Sequence, residues 1–367
     1  MTSAPIPLAS QVGGHAGVQT TEDGSLLIKP ALPAELAFYQ ALSDDSPFAP
    51  LRRYLPKFLG TLSLAGKVEE GEDLEKMGPP PAGAEKQSLV LENLSFPFKK
   101  PNILDIKLGT ILYDESASPE KVERMIKTAK ETTSLETGVR LTGFQVYDNL
   151  TITPINTPKS YGKSIKVTDL PDGIAKFFPV ARGAPATSST DTPATASTTA
   201  SSPSTDQTTS STDQPTPSTG LPSSTLLPIL RGIRRDVAAI REHLSKIEMR
   251  MVGGSVLIIY EADWERAAEA AKRIGTPEEE EDEEIDSDED GDGEGEGEGE
   301  GEGEGETKAT KPGPAFTVKL IDFAHTRLAP GEGPDAGVLL GLDTTLKLLD
   351  GRIAQVEAGA DVVEGVS

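Results

Sequence analysis

Two long segments contain almost nothing that could be buried, and they decide where a folded core can lie. Residues 183–220 are mostly Ser, Thr, Pro, Ala and Asp, with no Leu, Ile, Val or aromatic residue. Residues 276–314 hold an acidic run followed by Gly-Glu repeats. Ordering one residue costs about 1–2 kcal/mol of backbone entropy, which such sequences cannot recover by burial. Asp73–Gln87 is a shorter loop of the same kind. We therefore expect two disordered inserts and this loop, and roughly 270 other residues that could form one two-lobed domain.

The acidic run also accounts for most of the formal charge of -24. Between Glu278 and Glu306 there are 19 acidic residues and no basic one, which leaves 40 acidic against 35 basic residues elsewhere. The folded part is therefore expected to be close to neutral. The chain has no cysteine, which excludes disulfides, cysteine-ligated zinc and a thiol nucleophile. It also lacks a secretory signal and the roughly 20 consecutive apolar residues of a membrane span, so we expect a soluble intracellular protein.

Hydrophobic patterning in the remaining segments indicates an α+β fold. Strands are predicted at Ser25–Pro30, Phe58–Leu64, Ser88–Glu92, Asn102–Leu112, Leu141–Tyr147, Ser255–Glu261 and Phe316–Asp322. Helices are predicted at Pro33–Leu42, Ser118–Thr132, Leu221–Met251 and Val338–Asp350. This order of elements favours a bilobal, kinase-like architecture.

The most informative stretch is PNILDIKLGTILYD, which begins at Pro101. Asp105 and Lys107 are two residues apart, so on a strand they share one face, and Gly109 leaves room there for a ligand. A carboxylate that accepts a hydroxyl proton, beside a cation for phosphate oxygens, is what phosphoryl transfer to an alcohol needs. A surface ion pair on a strand is the alternative interpretation.

A second stretch, VKLIDFAH, places Asp322 at the end of an apolar strand. A single carboxylate in that position suits Mg²⁺, which is usually held by one or two carboxylates together with nucleotide phosphates. A helix-cap or turn aspartate is the alternative.

These stretches resemble the inositol polyphosphate kinase family. Pro101, Asp105, Lys107 and Gly109 form its signature P-x-x-x-D-x-K-x-G. Further family-like segments follow in the expected order, namely SLLIKP at Ser25, ELAFY at Glu35, LRRYLPKFLGTL at Leu51, LVLENL at Leu89, GSVLIIYE at Gly254 and LIDFAH at Leu320. Within the family, the fungal inositol polyphosphate multikinases are the most similar group. The resemblance implies a kinase that uses ATP and Mg²⁺, with a small N-lobe sheet and a larger α+β C-lobe.

The resemblance also implies the nucleotide site. Lys29 would reach the ATP phosphates and Glu35 would orient it, unless Lys29 is only a solvated lysine at a strand end. Glu92 and Leu94 resemble the hinge whose backbone binds adenine. Ser255 matches one serine of a family Ser-Ser-Leu-Leu element, although its neighbours depart from that pattern.

For the transfer itself, the resemblance makes Asp105 the catalytic carboxylate and Lys107 the neutralising cation, while Asp322 would bind Mg²⁺. Phosphates of the second substrate would meet basic residues of the segment that follows Ser118. Lys121, Arg124 and Lys127 recur there at a spacing of three, on one side of the predicted helix. Lys163, in SYGKSI, is a further candidate. A solvated basic face is the alternative for each of these cations.

The implied activity converts soluble inositol trisphosphate through tetrakisphosphate to pentakisphosphate. Alternatives are an inositol hexakisphosphate kinase, a kinase restricted to one trisphosphate, or a non-catalytic scaffold that recruits transcription or chromatin proteins through the acidic run. We expect a monomer of the nucleus and cytoplasm, with no membrane span and no direct nucleic-acid binding. Basic nuclear proteins are possible partners of the acidic run.

The expected organisation has eight parts. These are a tail (1–24), the N-lobe (25–97), the first C-lobe part with the substrate site (98–182), the Ser/Thr/Pro-rich insert (183–220), a C-lobe helix and strand (221–275), the acidic insert (276–314), the metal-binding segment with the last helix (315–357), and a second tail (358–367).

Overall fold

The structure, a computed structural model, describes residues 6–7, 17–43, 46–63, 87–181, 220–276 and 313–364. Nearly all of both low-complexity segments lies outside these ranges, so their disorder stays a prediction. Across the described ranges, no helix has the length and apolar character needed to cross a membrane.

The N-lobe contains a five-stranded antiparallel sheet and one α-helix, α1 (Pro33–Gln40). In spatial order the strands are β1 (Ile6–Pro7), β2 (Gln19–Thr20), β3 (Leu26–Pro30), β5 (Gln87–Glu92) and β4 (Phe58–Ser63). The first two strands fall within residues 1–24, which the sequence analysis assigned to a tail. A strand of two residues is too short for its hydrophobic pattern to be recognised, so the tail assignment was wrong there.

The C-lobe is built on a second five-stranded antiparallel sheet. In spatial order its strands are β11 (Phe316–Ile321), β10 (Ser255–Glu261), β6 (Pro101–Leu108), β7 (Val139–Asp148) and β8 (Thr153–Thr157). Strand β6 ends at Leu108, four residues earlier than predicted. Gly109 follows with a φ of 100°, a conformation that L side chains rarely adopt, and it turns the chain out of the sheet.

Seven α-helices accompany this sheet in the described ranges: α2 (Pro119–Glu131), α3 (Ser134–Thr137), α4 (Lys159–Ser164), α5 (Leu170–Phe177), α6 (Ser223–Leu244), α7 (Trp264–Ala271) and α8 (Ala336–Glu364). Short 3-10 helices occupy Ala49–Tyr54 and Val167–Asp169. The predicted start of α2 is confirmed, because the Ser118 side chain accepts a hydrogen bond from the Lys121 amide at 3.3 Å.

Helix α6 ends at Leu244, although the apolar spacing predicted a helix as far as Met251. Residues Met249–Met251 instead form strand β9, which pairs with β12 (Thr326–Leu328). Met249 and Met251 are both buried and lie two residues apart, which is the repeat of a strand. The helical spacing continued past the end of the helix by coincidence.

The two faces of the C-lobe sheet have different surroundings. One face carries alternating apolar residues that pack with α6 and α8 in the main core, among them Leu104, Ile106, Val256, Ile258 and Leu320. Because side chains alternate along a strand, Asp105 and Lys107 lie on the opposite face. That face also holds Ile103 and Ile259, which form a separate small cluster with Phe98. The fold thus presents the chemically informative residues away from its main core.

Candidate active site

Four charged side chains from both lobes form an ion cluster. The Lys29 ammonium, at the end of β3, donates to Glu35 Oε1 at 2.8 Å and to Asp322 Oδ1 at 3.0 Å. Lys107, on β6, donates to the other oxygen of Asp322 at 2.5 Å. A role was predicted for each of these residues from the sequence, and the structure brings them into contact across as many as 293 positions of chain.

Asp322 lies at the centre of this cluster and has an unusual backbone conformation. Its φ is 68°, in the left-handed region that residues other than glycine rarely occupy. Burial by itself would raise the pKa of its carboxyl, but the charges of Lys107 and Lys29 outweigh burial and hold that pKa well below the ordinary value. Asp322 is therefore a buried carboxylate that stays ionised.

Packing explains how the backbone is kept there. The next residue, Phe323, is buried and stacks on Phe38 of α1 with ring centroids 4.1 Å apart. Its amide donates to Glu35 Oε1 at 3.4 Å. Helix α1 thus fixes both the turn that carries Asp322 and the carboxylate that orients Lys29.

Asp105 is fully buried on β6, two residues before Lys107. Neither of its carboxyl oxygens has a hydrogen-bond partner among the described residues. The hydroxyl of Ser255, which lies opposite Lys107 in the sheet, is likewise buried without such a partner. Buried polar groups are normally hydrogen-bonded, so these atoms mark a place where a ligand completes the site.

The β6–β7 pairing adds a cation that the sequence analysis missed. Arg140 on β7 is the direct partner of Lys107, so the two side chains share a face. A single arginine in an apolar strand has no motif to reveal it. The nearest signal was that Arg140 is the only charged residue between Val139 and Tyr147.

The loop after Gly109 contacts the segment that follows Asp322. His325, three residues beyond Asp322, contacts the Asp114 carboxyl of this loop through its Nδ1. Burial would raise the pKa of the Asp114 carboxyl, but hydrogen bonds from Ser116, together with the nearby His325 and Lys121, hold that pKa below the ordinary value. Lys121, a predicted substrate residue, thus lies close enough to Asp114 to act on its carboxyl.

The other predicted substrate cations make no direct contact with the ion cluster. Arg124 and Lys127 are exposed on α2, where Lys127 lies 3.8 Å from Glu131. Lys163 is exposed on α4. They remain candidates for long-range attraction of an anionic substrate.

At the predicted hinge, Glu92 Oε1 accepts a hydrogen bond from the Lys57 amide at 2.9 Å and lies 3.9 Å from the Lys319 ammonium. Leu94 packs with Phe98 and its cluster. A cavity of about 440 Å³ is lined by both predicted hinge residues, but by none of the four ion-cluster residues. The cavity and the charged ion cluster therefore lie at separate places.

The donor set at the charged end fits a divalent cation. Carboxylate oxygens are ligands that Mg²⁺ and Mn²⁺ accept, and Asp322 supplies an ionised one. No group of three or more His, Cys, Asp or Glu side chains in the described ranges could enclose a metal. A cation at Asp322 would therefore take most of its ligands from phosphates and water, as magnesium does in nucleotide sites.

Comparisons with known proteins identify the family. The family model for inositol polyphosphate kinase matches residues 88–196 and 221–350. The inositol polyphosphate multikinase of Saccharomyces cerevisiae is 31% identical over 383 residues, which cover 93% of this chain and 96% of that protein. The multikinase of Schizosaccharomyces pombe is 31% identical over 170 residues, 46% of this chain and 61% of that one.

A solved structure extends the likeness to the fold. The crystal structure of the inositol phosphate multikinase of S. cerevisiae, in complex with ADP and Mn²⁺, superposes with a TM-score of 0.54 at 27% identity. The superposition covers 89% of this chain and 98% of the yeast protein. The architecture is therefore the predicted α+β bilobal kinase-like fold, and the chain belongs to the inositol polyphosphate kinase family.

Proposed function

We propose that the protein transfers the terminal phosphoryl group of ATP to hydroxyl groups of soluble inositol polyphosphates, as a multikinase. The observation that carries this proposal is that Lys29 and Lys107 both pair with Asp322. Lys107 lies two residues along its strand from the buried Asp105. Phosphoryl transfer depends mainly on positioning and on neutralising negative charge, and this cluster supplies both.

The N-lobe lysine is held ready for nucleotide phosphates. Burial would lower the pKa of the Lys29 ammonium, but Asp322 and Glu35 together raise it, so the group stays charged at physiological pH. Lys29 would contact the ATP phosphates while Glu35 keeps its orientation. Glu92 and Leu94 would border the adenine, and Ser255 would offer its unpaired hydroxyl to the nucleotide.

Asp105 would accept the proton of the acceptor hydroxyl. Because neither oxygen of this carboxylate is engaged by a described residue, one of them is available to accept the proton as the hydroxyl attacks. Lys107, on the same face of the strand, would neutralise charge on the group in transfer. The Gly253 carbonyl, which accepts a hydrogen bond from Lys107 at 2.8 Å, helps to aim that ammonium.

Asp322 would hold the metal, for which we propose Mg²⁺. When bound, Mg²⁺ neutralises phosphate charge near the phosphoryl group in transfer. We propose that the substrates run from inositol trisphosphate through tetrakisphosphate to pentakisphosphate, and that Lys121, Arg124, Lys127 and Lys163 attract them.

The cellular setting is proposed on resemblance alone. We propose a monomer in the nucleus and cytoplasm that binds no nucleic acid directly. Binding of basic nuclear proteins by the acidic run is a separate proposal, and that run lies outside the described residues.

The proposal is tested by replacing Asp105 with Asn, which keeps the size of the side chain and removes its capacity to accept the proton. We expect kcat with inositol trisphosphate to fall by roughly 10²–10⁴-fold. Stabilisation of the protein by ATP should persist, because Lys29 and Asp322 are untouched. Steady-state kinetics and thermal shifts with ATP measure the two effects.

Asp350→Asn is the matched control, because Asp350 is an exposed residue of α8 that pairs with Arg234 away from the site. It should leave kcat unchanged. Wild-type kcat in a folded Asp105→Asn protein would remove Asp105 from the mechanism.

A further inference from the structure

Arg140 is placed directly beside the proposed catalytic strand. It pairs with Lys107 across the β6–β7 ladder, and Lys107 pairs with Ser255 on the far side. Paired residues of neighbouring strands project from the same face, about 4.8 Å apart. Arg140, Lys107 and Ser255 therefore form one polar row, which we call the cleft row, and Asp105 lies on the same face.

The charge of Arg140 has no contact partner in the described part of the chain. Its side chain is partly buried, yet the described residues offer it neither a hydrogen bond nor an ion pair. Asp105 attracts it through space, but burial prevails and lowers the pKa of the guanidinium. Lys29 and Lys107, by contrast, each donate to carboxylates.

A partly buried arginine without a partner is costly to the free protein. Elsewhere the protein satisfies such a group: Arg352, also partly buried, donates to the Phe178 carbonyl at 2.6 Å and 3.1 Å. The absence of a comparable acceptor at Arg140 indicates that an anion supplied from outside completes its contacts. Guanidinium groups suit phosphate best, because their fork of donors binds two oxygens at once.

Arg140 lies at the β7 end of the cleft row. The cleft row runs from Ser255, on the proposed nucleotide side, through Lys107 to Arg140. Asp322 directly follows Ile321, the partner of Ser255 on β11. Helix α4 packs on the residue after Arg140, since a Cβ at Gly162 would lie 1.5 Å from the Leu141 carbonyl. The next residue of that helix is the exposed Lys163.

We propose that Arg140 binds a phosphate of the inositol substrate, one that neighbours the hydroxyl under attack, and so helps to determine which inositol phosphates are accepted. This inference rests on the proposed function and assigns a specificity residue within it. Asp105 accepts the proton of the attacking hydroxyl, and Lys107 neutralises charge on the phosphoryl group in transfer. Arg140 positions the inositol ring by binding one of its phosphates.

The test is Arg140→Met, which keeps the length and packing of the side chain and removes its charge. We expect KM for inositol 1,4,5-trisphosphate to rise roughly ten- to hundred-fold, as for the loss of a charged hydrogen-bonded pair. KM for ATP should stay within about two-fold, and the melting temperature should hold or rise, because a partly buried charge is removed. Arg140→Lys should give a smaller rise in KM, because a point charge replaces the fork.

Arg231→Met is the matched control, since Arg231 is an exposed residue of α6 that pairs with Glu357, and it should leave both KM values unchanged. An unchanged KM for the trisphosphate in folded Arg140→Met, or a fall in kcat alone, would overturn the inference about Arg140. The proposed kinase function would not be affected by that result. If the wild-type protein phosphorylates no inositol phosphate, the proposed function fails instead. Calorimetry of inositol 1,4,5-trisphosphate binding to the nucleotide-free proteins gives the second readout: Arg140→Met should weaken binding, and Arg231→Met should leave it unchanged.

Discussion

Asp322 combines a left-handed backbone conformation with a carboxylate that accepts hydrogen bonds from two ammonium groups. Aspartate tolerates this backbone region better than most residues do, although the conformation still carries strain. The strain is held by the buried Phe323 that follows and by the hydrogen bond to Glu35. At the scale of single residues, the site therefore depends on a turn that α1 keeps in place.

Because of Asp322, the free energy of unfolding should fall as the solution becomes strongly acidic. The folded-state pKa of Asp322 lies below the value near 3.9 expected in the unfolded chain. Its contribution to stability is thus fully present above about pH 4 and is lost as the pH falls toward the folded-state pKa. Asp322→Asn should lower the free energy of unfolding by about 3 kcal/mol at pH 7, because two lysines lose their shared partner.

Below about pH 4 the difference between wild type and Asp322→Asn should shrink. Urea denaturation of both proteins at pH 7, 5 and 3 measures it. A gap that stays the same at pH 3, or that is absent at pH 7, would show that the cluster does not stabilise the fold in this way.

Single residues also show how far the sequence could be interpreted. Lys29, Glu35, Lys107 and Asp322 each belong to a segment with a recognisable pattern, and all four meet in one cluster. Arg140 belongs to no pattern, because its importance comes from the strand register beside Lys107. The pairing of His325 with Asp114 depends in the same way on a loop path that no spacing rule predicts.

Among the elements, the segment that leads from α3 into β7 makes a close backbone contact with α8. Gly138 ends α3 with a φ of 68°, and a Cβ there would lie 2.5 Å from the Gly341 amide and 2.7 Å from the Gly337 carbonyl of α8. Only glycine permits this approach. It sets the start of β7, and therefore the register in which Arg140 faces Lys107.

Gly138→Ala should destabilise the protein by about 2–4 kcal/mol, because an unfavourable backbone region and a backbone clash add together. Gly351→Ala is the matched control: Gly351 lies in α8 with open space around its added Cβ, and alanine favours helix there by up to about 1 kcal/mol. Thermal unfolding of both variants measures the difference. Similar melting temperatures for the two would contradict the proposed contact.

Elements were predicted well where one periodicity extends over several turns. The buried face of α6, with Leu226, Leu230, Ile233, Val237 and Ile240, follows the predicted spacing of three and four. The ends of elements were predicted less well, because tertiary pairing decides them, as β12 does for β9. Helices α4 and α5 were missed because they are six and eight residues long and carry too few repeats.

At the scale of the whole molecule, the two lobes meet through the same residues that form the site. Lys29 and Glu35 come from the N-lobe, Lys107 and Asp322 from the C-lobe, and the Phe38–Phe323 stack joins the lobes beside them. Geometry between the lobes thus depends on the ion cluster as well as on packing. The bilobal plan was predicted from the order of elements, whereas this coupling required the three-dimensional structure.

The central claim is that this inter-lobe cluster directs a phosphoryl group from ATP to an inositol polyphosphate. The most direct measurement is incubation of the purified protein with ATP, Mg²⁺ and inositol 1,4,5-trisphosphate, followed by isomer-resolved chromatography. We predict that a tetrakisphosphate forms first and is then converted to a pentakisphosphate. A trisphosphate that remains unconverted while the folded protein still binds ATP would contradict the claim. A pyrophosphate formed only from inositol hexakisphosphate would show that the protein is an inositol hexakisphosphate kinase instead.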